Sequence, residues 1–351
     1  MSRYELTEGA IAALIPGEPA YRARQIYAGM HGGLRAPEEM TELPASLRAT
    51  LSASAAFATG FEVAEELSCD RGSTRRFVLR SPLDGAVVET VLMRYSRRVT
   101  ACVSSQAGCA MGCSFCATGQ MGFGRHLSEA EIVEQVIRSA RAAAEEGWGR
   151  LSNVVFMGMG EPFANYANVL AAVRRCHDTL SMAARSFTIS TVGVVPGILR
   201  LAAEPLQVNL AVSLHAANDE LRSSLVPLNR RYPLAKVMAA CSGYTAKTSR
   251  RISFEWALIS GVNDRDADAT ALAELLAPLG GLAHVNLIPL NPTPGYSVLG
   301  SPPSVVEAFS RSLGAAGVNA TIRATRGRQI GGACGQLAGA AAKVAEHRRP
   351  A

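Results

Sequence analysis

The 351-residue sequence predicts an α/β protein: a partial (β/α)6 barrel of the TIM type, preceded by a small N-terminal helical domain and a β-hairpin linker. Three observations carry this. After Arg98, six apolar runs of strand length alternate with helix-length segments, the pattern of a parallel sheet curving toward a barrel with fewer than eight units. Between about Phe61 and Arg97 the runs are short and alternating, and the first 60 residues read as small helices.

In Tyr21 to Met30, Ala23, Ile26, Tyr27 and Met30 share one helical face while Arg22, Arg24 and Gln25 lie outside it. Pro37 and Pro44 punctuate the next segment. Arg76–Arg80 and Val87–Leu92 flank the turn-forming Ser81-Pro82-Leu83-Asp84-Gly85, which predicts a hairpin. The six later runs are Thr100–Ser104, Asn153–Met157, Ser186–Thr191, Val208–Leu214, Ile252–Ile259 and Val285–Leu290. Ser128 and Glu131 have capping-box spacing, and Ile132, Val133, Val136, Ile137 and Ala140 come next on one face. The Ala-rich stretch after Leu337 reads as a terminal helix. The boundaries expected are 1–60, 61–98, 99–319 and a tail at 320–351.

With 48% hydrophobic and 18% charged residues, the chain can bury a large core, which excludes disorder as a description of the whole. No apolar run is long enough to span a bilayer, and Met1–Glu5 lacks a signal-peptide core, so the expectation is a cytoplasmic protein without a membrane partner. The +6 charge comes almost entirely from arginine, since Lys236, Lys247 and Lys343 are the only lysines. Arginine suits phosphate and stacked bases. Base-composition bias produces the same Ala, Gly and Arg enrichment, so charge alone decides nothing.

The sharpest local signal is Cys109-Ala110-Met111-Gly112-Cys113-Ser114-Phe115-Cys116, directly after the first barrel strand. Three thiolates this close suit three irons of a 4Fe-4S cube, with the fourth iron open to a small molecule. Structural zinc takes four protein ligands, and no nearby second pair supplies them. The carboxyl ends of the strands, where barrels of this type place their chemistry, carry Gly158-Met159-Gly160-Glu161-Pro162, Ser190-Thr191-Val192-Gly193, Ser213-Leu214-His215 and Asn291-Pro292.

This stretch resembles the radical S-adenosylmethionine enzymes. The resemblance implies that Cys109, Cys113 and Cys116 bind the cluster and that S-adenosyl-L-methionine chelates its open iron, to be cleaved to a 5'-deoxyadenosyl radical. Gly160 and Glu161 match the motif that holds the methionine amino group; physically, a carboxylate accepts from an ammonium and glycine allows close backbone approach.

More specifically, Cys102–Cys109, the cluster with Ala117-Thr118-Gly119, Ser213–Arg222, Gly261–Asp264, Val285–Pro292 and Ala333–Leu337 resemble the dual-specificity 23S rRNA and tRNA adenine-carbon-2 methyltransferases. The resemblance implies that Cys334 is methylated and carries the methyl group, that Cys102 resolves the protein–RNA adduct through a disulfide to Cys334, and that Glu89 accepts a proton. It also implies that Ser190, Ser213, Leu214, His215 and Asn291 contact S-adenosylmethionine, and that the electron donor is a protein such as flavodoxin or ferredoxin. A monomer is the default. Two departures stand out: Thr325–Gly332, before Cys334, has no acidic residue, and Asp178–Ala184 is shorter than usual for the family.

The target adenine must be unpaired or flipped out to reach a buried site. The N-terminal helices and the pairs Arg22/Arg24, Arg75/Arg76, Arg97/Arg98, Arg230/Arg231 and Arg250/Arg251 are the candidate RNA contacts. The competing readings are the related adenine-carbon-8 methyltransferases and, from another class, a non-catalytic iron-sulfur RNA-binding or electron-carrier protein.

Overall fold

In the computed structural model, which describes residues 2–293 and 295–337, three α-helices open the chain: α1 (Glu8–Leu14), α2 (Tyr21–His31) and α3 (Ala45–Ala53). Helix α2 buries Ala23, Ile26 and Met30, the face expected from its periodicity. The hydroxyl of Thr7 caps α1 by accepting from the Ala10 amide at 3.1 Å.

Strands β1 (Glu62–Cys69), β2 (Thr74–Arg80) and β3 (Val87–Arg94) are antiparallel neighbours. The expected hairpin is β2–β3, with Arg80 opposite Val87. Strand β1 adds a third member on its outer side. The three are not a detached linker, because β3 pairs antiparallel with β4 (Val99–Cys102), the first strand of the barrel.

After β4, a two-stranded ribbon of β5 (Gln106–Gly108) and β6 (Phe123–His126) brackets the cysteine loop and the single-turn helix α4 (Ala117–Gln120). Then come α5 (Glu129–Glu145), β7 (Asn153–Phe156), α6 (Tyr166–Thr179), β8 (Phe187–Thr191), α7 (Val195–Leu201) and β9 (Asn209–Ser213). Two helices, α8 (Asp219–Leu225) and α9 (Leu234–Thr248), lead to β10 (Ile252–Leu258), α10 (Asp266–Leu276), β11 (Ala283–Pro289), α11 (Pro303–Ala315) and β12 (Asn319–Ile322).

Strands β4 and β7 to β11 are the six expected from sequence, all parallel and in chain order. A seventh parallel strand, β12, pairs with β11. Its four residues, Asn-Ala-Thr-Ile, are mostly exposed and give no apolar run to read. One ten-stranded sheet thus runs from β1 to β12 as an open, partial barrel.

The Ser128 hydroxyl accepts from the Glu131 amide at 3.2 Å while the Glu131 carboxylate accepts from the Ser128 amide at 2.8 Å, so the capping box starts α5 where expected. The helix packs Ile132, Val133, Val136 and Ile137 into a core shared with Val154, Phe187, Leu210, Phe254 and Val285 of the sheet. Burying each such side chain contributes about 2 kcal/mol. The terminal helix expected after Leu337 lies outside the described residues.

Candidate active site at the barrel mouth

The strand ends converge on one cavity, lined by Cys109, Cys113 and Cys116 on one side and by Gly160, Glu161, Ser190, Ser213, His215 and Asn291 on the others. It holds about 1020 Å³ of unfilled space counted out to solvent. Leu214 is not on its wall. Its side chain is fully buried, its amide donates to the Glu255 carbonyl at 3.1 Å, and its carbonyl accepts from Arg222 Nε at 3.1 Å.

The cysteine loop is fastened at its base, where the Cys109 amide donates to the Gly122 carbonyl at 2.7 Å. Burial pushes the Cys109 thiol up to about 12 and the Cys113 thiol well above its ordinary range, and neighbouring cysteines raise both further. Thiols in such a place become thiolates only with bound metal to repay their charge. Among the described residues no group of three or more His, Cys, Asp or Glu is disposed around a single metal ion. Three thiolates suit a cube, which takes one at each of three irons, whereas structural zinc takes four protein ligands.

Glu161 is fully buried, and its two carboxylate oxygens accept from the amides of Phe163 and Val192, each at 2.9 Å. Desolvation outweighs these bonds and lifts its carboxyl to about 7. An ammonium beside it would restore the charge. Its approach is set by Gly160, at φ +99°, where a Cβ would lie 2.6 Å from that of Gln106. Gln106 Oε1 accepts from the Glu161 amide at 2.8 Å.

His215, at φ 63°, accepts from the Ala257 amide through Nδ1 at 3.0 Å, so its proton sits on Nε2. Burial lowers the ring to about 3, keeping it neutral. The Phe115 ring meets it edge-on at 4.8 Å.

A second cavity adjoins the first. Cys102 lines only the second, whereas Cys334, Asn291, Met157 and Ile288 line both. None of the eight cysteines forms a disulfide. The tail carrying Cys334 is docked across the mouth: Asn291 Nδ2 donates to the Cys334 carbonyl at 3.2 Å, the Ala117 amide to the Gly335 carbonyl at 2.8 Å, and Thr118 Oγ1 to the Leu337 carbonyl at 2.9 Å. Cys334 has accessible surface, but protein packs densely around that opening and raises its thiol, while burial pushes Cys102 up to about 12.

Glu89 lines neither cavity. It is buried on β3, where Arg76 Nε lies 3.4 Å from its carboxylate. The same Arg76 donates to the Ile330 carbonyl of the tail, so one guanidinium touches both Glu89 and the Cys334 loop. Arg75 pairs with Glu66 and Glu146. Both members of that pair, read from sequence as phosphate candidates, are thus engaged within the protein.

Three residues escaped the sequence reading. Arg222 is fully buried and donates to the carbonyls of Leu214, Val192 and Ser213 and to Asn229 Oδ1, between 2.7 and 3.1 Å. It ties two strand ends together, and nothing in its motif signals this. Glu255 lines the first cavity, and Arg323 of the second lies 3.7 Å from it. A lone acid within the apolar run Ile252–Ile259 was the available signal for Glu255.

Known proteins similar to this chain point the same way. The Radical SAM superfamily profile matches residues 103–273. A probable dual-specificity RNA methyltransferase RlmN of Parafrankia sp. (strain EAN1pec) is 55% identical over 340 residues, covering 92% of this chain and 87% of the relative. One of the same description from Thermobifida fusca (strain YX) is 52% identical over 342 residues, covering 95% and 92%. The crystal structure of a radical SAM methyltransferase from Sphaerobacter thermophilus superposes with a TM-score of 0.90 at 50% identity, covering 96% of this chain and 99% of that one.

Proposed function

This chain belongs to the dual-specificity RNA methyltransferase family of the radical SAM superfamily, and from that premise we propose that it methylates carbon 2 of an adenine in both 23S rRNA and tRNA. It is an enzyme whose cofactors are a 4Fe-4S cluster and S-adenosyl-L-methionine. The observation that carries the reading is Cys334, the cysteine shared by the cavity of the three cluster thiols and the cavity of Cys102.

Cys109, Cys113 and Cys116 would hold the cluster. Glu161 and Gly160 would take the amino-acid end of S-adenosylmethionine, while Ser190, Ser213, His215 and Asn291 offer hydroxyl, imidazole and amide partners to the rest. Leu214 sets the backbone path between Ser213 and His215. When bound, the pair supplies a methyl group and the one-electron hydrogen abstraction that an unreactive ring carbon requires.

Cys334 carries the methyl group as a thioether, linked from there to the adenine ring. The family resemblance assigns the ring proton to Glu89, which lies on β3 behind Arg76 and lines neither cavity. Cys102 attacks the Cys334 sulfur as a thiolate; the sulfur–methylene bond breaks, the carbon left on the ring takes up a proton to become the new methyl group, and a transient Cys102–Cys334 disulfide remains on the protein. A flavodoxin- or ferredoxin-type donor provides the electron. The setting is cytoplasmic; among the described residues no helix is long and apolar enough to cross a membrane.

The test is the mass of the tryptic peptide Gln329 to Lys343 from cluster-loaded protein, beside a Cys334→Ala control. A one-methylene gain localised to Cys334 is expected, and an unmodified peptide after incubation with S-adenosylmethionine would overturn the reading. Nucleoside mass spectrometry that finds the new methyl on carbon 8 would overturn the ring position. Reduced protein that fails to cleave S-adenosylmethionine would leave an electron carrier.

A further inference from the structure

We propose that the basic tail loop is itself a phosphate grip: Arg326, together with Arg98, clasps the single-stranded RNA backbone beside the target adenosine at the rim of the second cavity. The inference deepens the RNA-methyltransferase reading and rests on it.

The rim is built around Tyr95, which lines the second cavity. Two guanidiniums lie over its ring, Arg98 at 4.6 Å from the centroid and Arg326 at 5.2 Å. They arrive from different parts of the chain, Arg98 from the turn before β4 and Arg326 from the tail. Among the described residues neither has a carboxylate within 4 Å, unlike Arg75, Arg76, Arg125 and Arg141. Arg326 Nη1 donates to Ser73 Oγ at 2.7 Å, and Asp70, whose carboxyl Arg326 helps to lower, accepts from the Gly327 amide at 3.0 Å. These contacts fix the loop and leave most of the guanidinium's five N–H donors unspent.

The other cation lining the cavity beside Arg326 is Arg323, which faces Glu255 at 3.7 Å. Positive charge is therefore in excess at the rim. Below it, Met93, Met157 and Ile288 offer apolar surface for a base. A guanidinium held over an aromatic ring is pre-oriented, and its planar fork matches phosphate oxygens. The chemistry required is an anion attached to a flat apolar group, which is a nucleotide of an unpaired strand. The absence of acidic residues from Thr325–Gly332 then has a use, because an acid there would repel the strand.

The test is binding of a fluorescent RNA hairpin with unpaired loop adenines to the full chain, by anisotropy across a salt series. Arg98→Gln and Arg326→Gln should each weaken binding roughly threefold to tenfold and lower the slope of log affinity against log salt by about 0.7. Arg98→Lys and Arg326→Lys should retain the wild-type slope, which separates loss of charge from loss of structure. A double Gln variant with wild-type affinity and slope would overturn the proposal. The wild-type Cys334 peptide mass tests the underlying reading independently: a methylated Cys334 with unaltered binding in the double variant would sink the grip alone, and an unmethylated one would sink the methyl-carrier reading.

Discussion

Asn291 donates to the backbone carbonyl of Cys334 at 3.2 Å, so the exit of the last long barrel strand holds the tail over the mouth. Asn291→Ala removes that bond while leaving the Ala117–Gly335 and Thr118–Leu337 contacts. A single neutral hydrogen bond contributes about 1 kcal/mol. The expected outcome is alkylation of Cys334 roughly fivefold faster with an unchanged global unfolding midpoint. Equal rates in the two proteins would show that Asn291 does not hold the tail.

Two glycines should respond in opposite directions to the same substitution. At Gly160, with φ +99° and a Cβ only 2.6 Å from Gln106, alanine is strained and crowded, and Gly160→Ala should cost about 3 kcal/mol. At Gly243, exposed within α9 with nothing within 4 Å of a Cβ, alanine should stabilise by about 1 kcal/mol. Urea unfolding of both variants checks the pair of signs.

Arg222 bonds four oxygens from one buried guanidinium, and burial lowers it to about 10 while leaving it charged near neutrality. Lysine cannot reproduce that fork. Arg222→Lys should destabilise by about 3 kcal/mol, nearly as much as Arg222→Met, since both leave carbonyls unpaired. A lysine variant of wild-type stability would mean that charge alone suffices.

His31 links acid to the N-terminal helices. It is fully buried between the rings of Tyr4 and Tyr27, neither ring nitrogen has a hydrogen-bond partner among the described residues, and burial, aided by Arg175, lowers it to about 4. The unfolded chain, titrating near 6.5, therefore binds the proton first. Stability contributed by this group is complete above about pH 6.5 and is lost as pH falls toward 4, by up to about 3 kcal/mol. His31→Phe should flatten the fall in urea midpoint between pH 7 and pH 4.5; an identical fall in both proteins would assign it elsewhere.

The apolar runs made the six parallel strands legible because none has an exposed face, each strand's faces being buried or half-buried, and Ser128 with Glu131 fixed the start of α5. Strand β12 was not legible, since Asn319–Ile322 gains its partner only from β11 and carries little apolar signal of its own. The spacing of Cys109, Cys113 and Cys116 and the resemblance around Glu161 singled out residues that the fold brings to one cavity. Arg222, Arg323 and Glu255 could not be given roles from sequence, because each is defined by partners that the fold brings from distant positions. Arg75 and Arg76 resemble any exposed basic pair until Glu66, Glu146 and Glu89 are seen beside them.

Because the ten-stranded sheet stays open, it ends in two edges, and each must be kept from recruiting another chain. Strand β1 is long enough to template a neighbour, but Glu62, Glu65 and Glu66 are exposed along it, so a second copy would set like charges side by side. Strand β12 is only four residues long and runs directly into Arg323. One edge is defended by repulsion and the other by brevity, which lets the barrel remain unclosed for its ligands without inviting polymerisation.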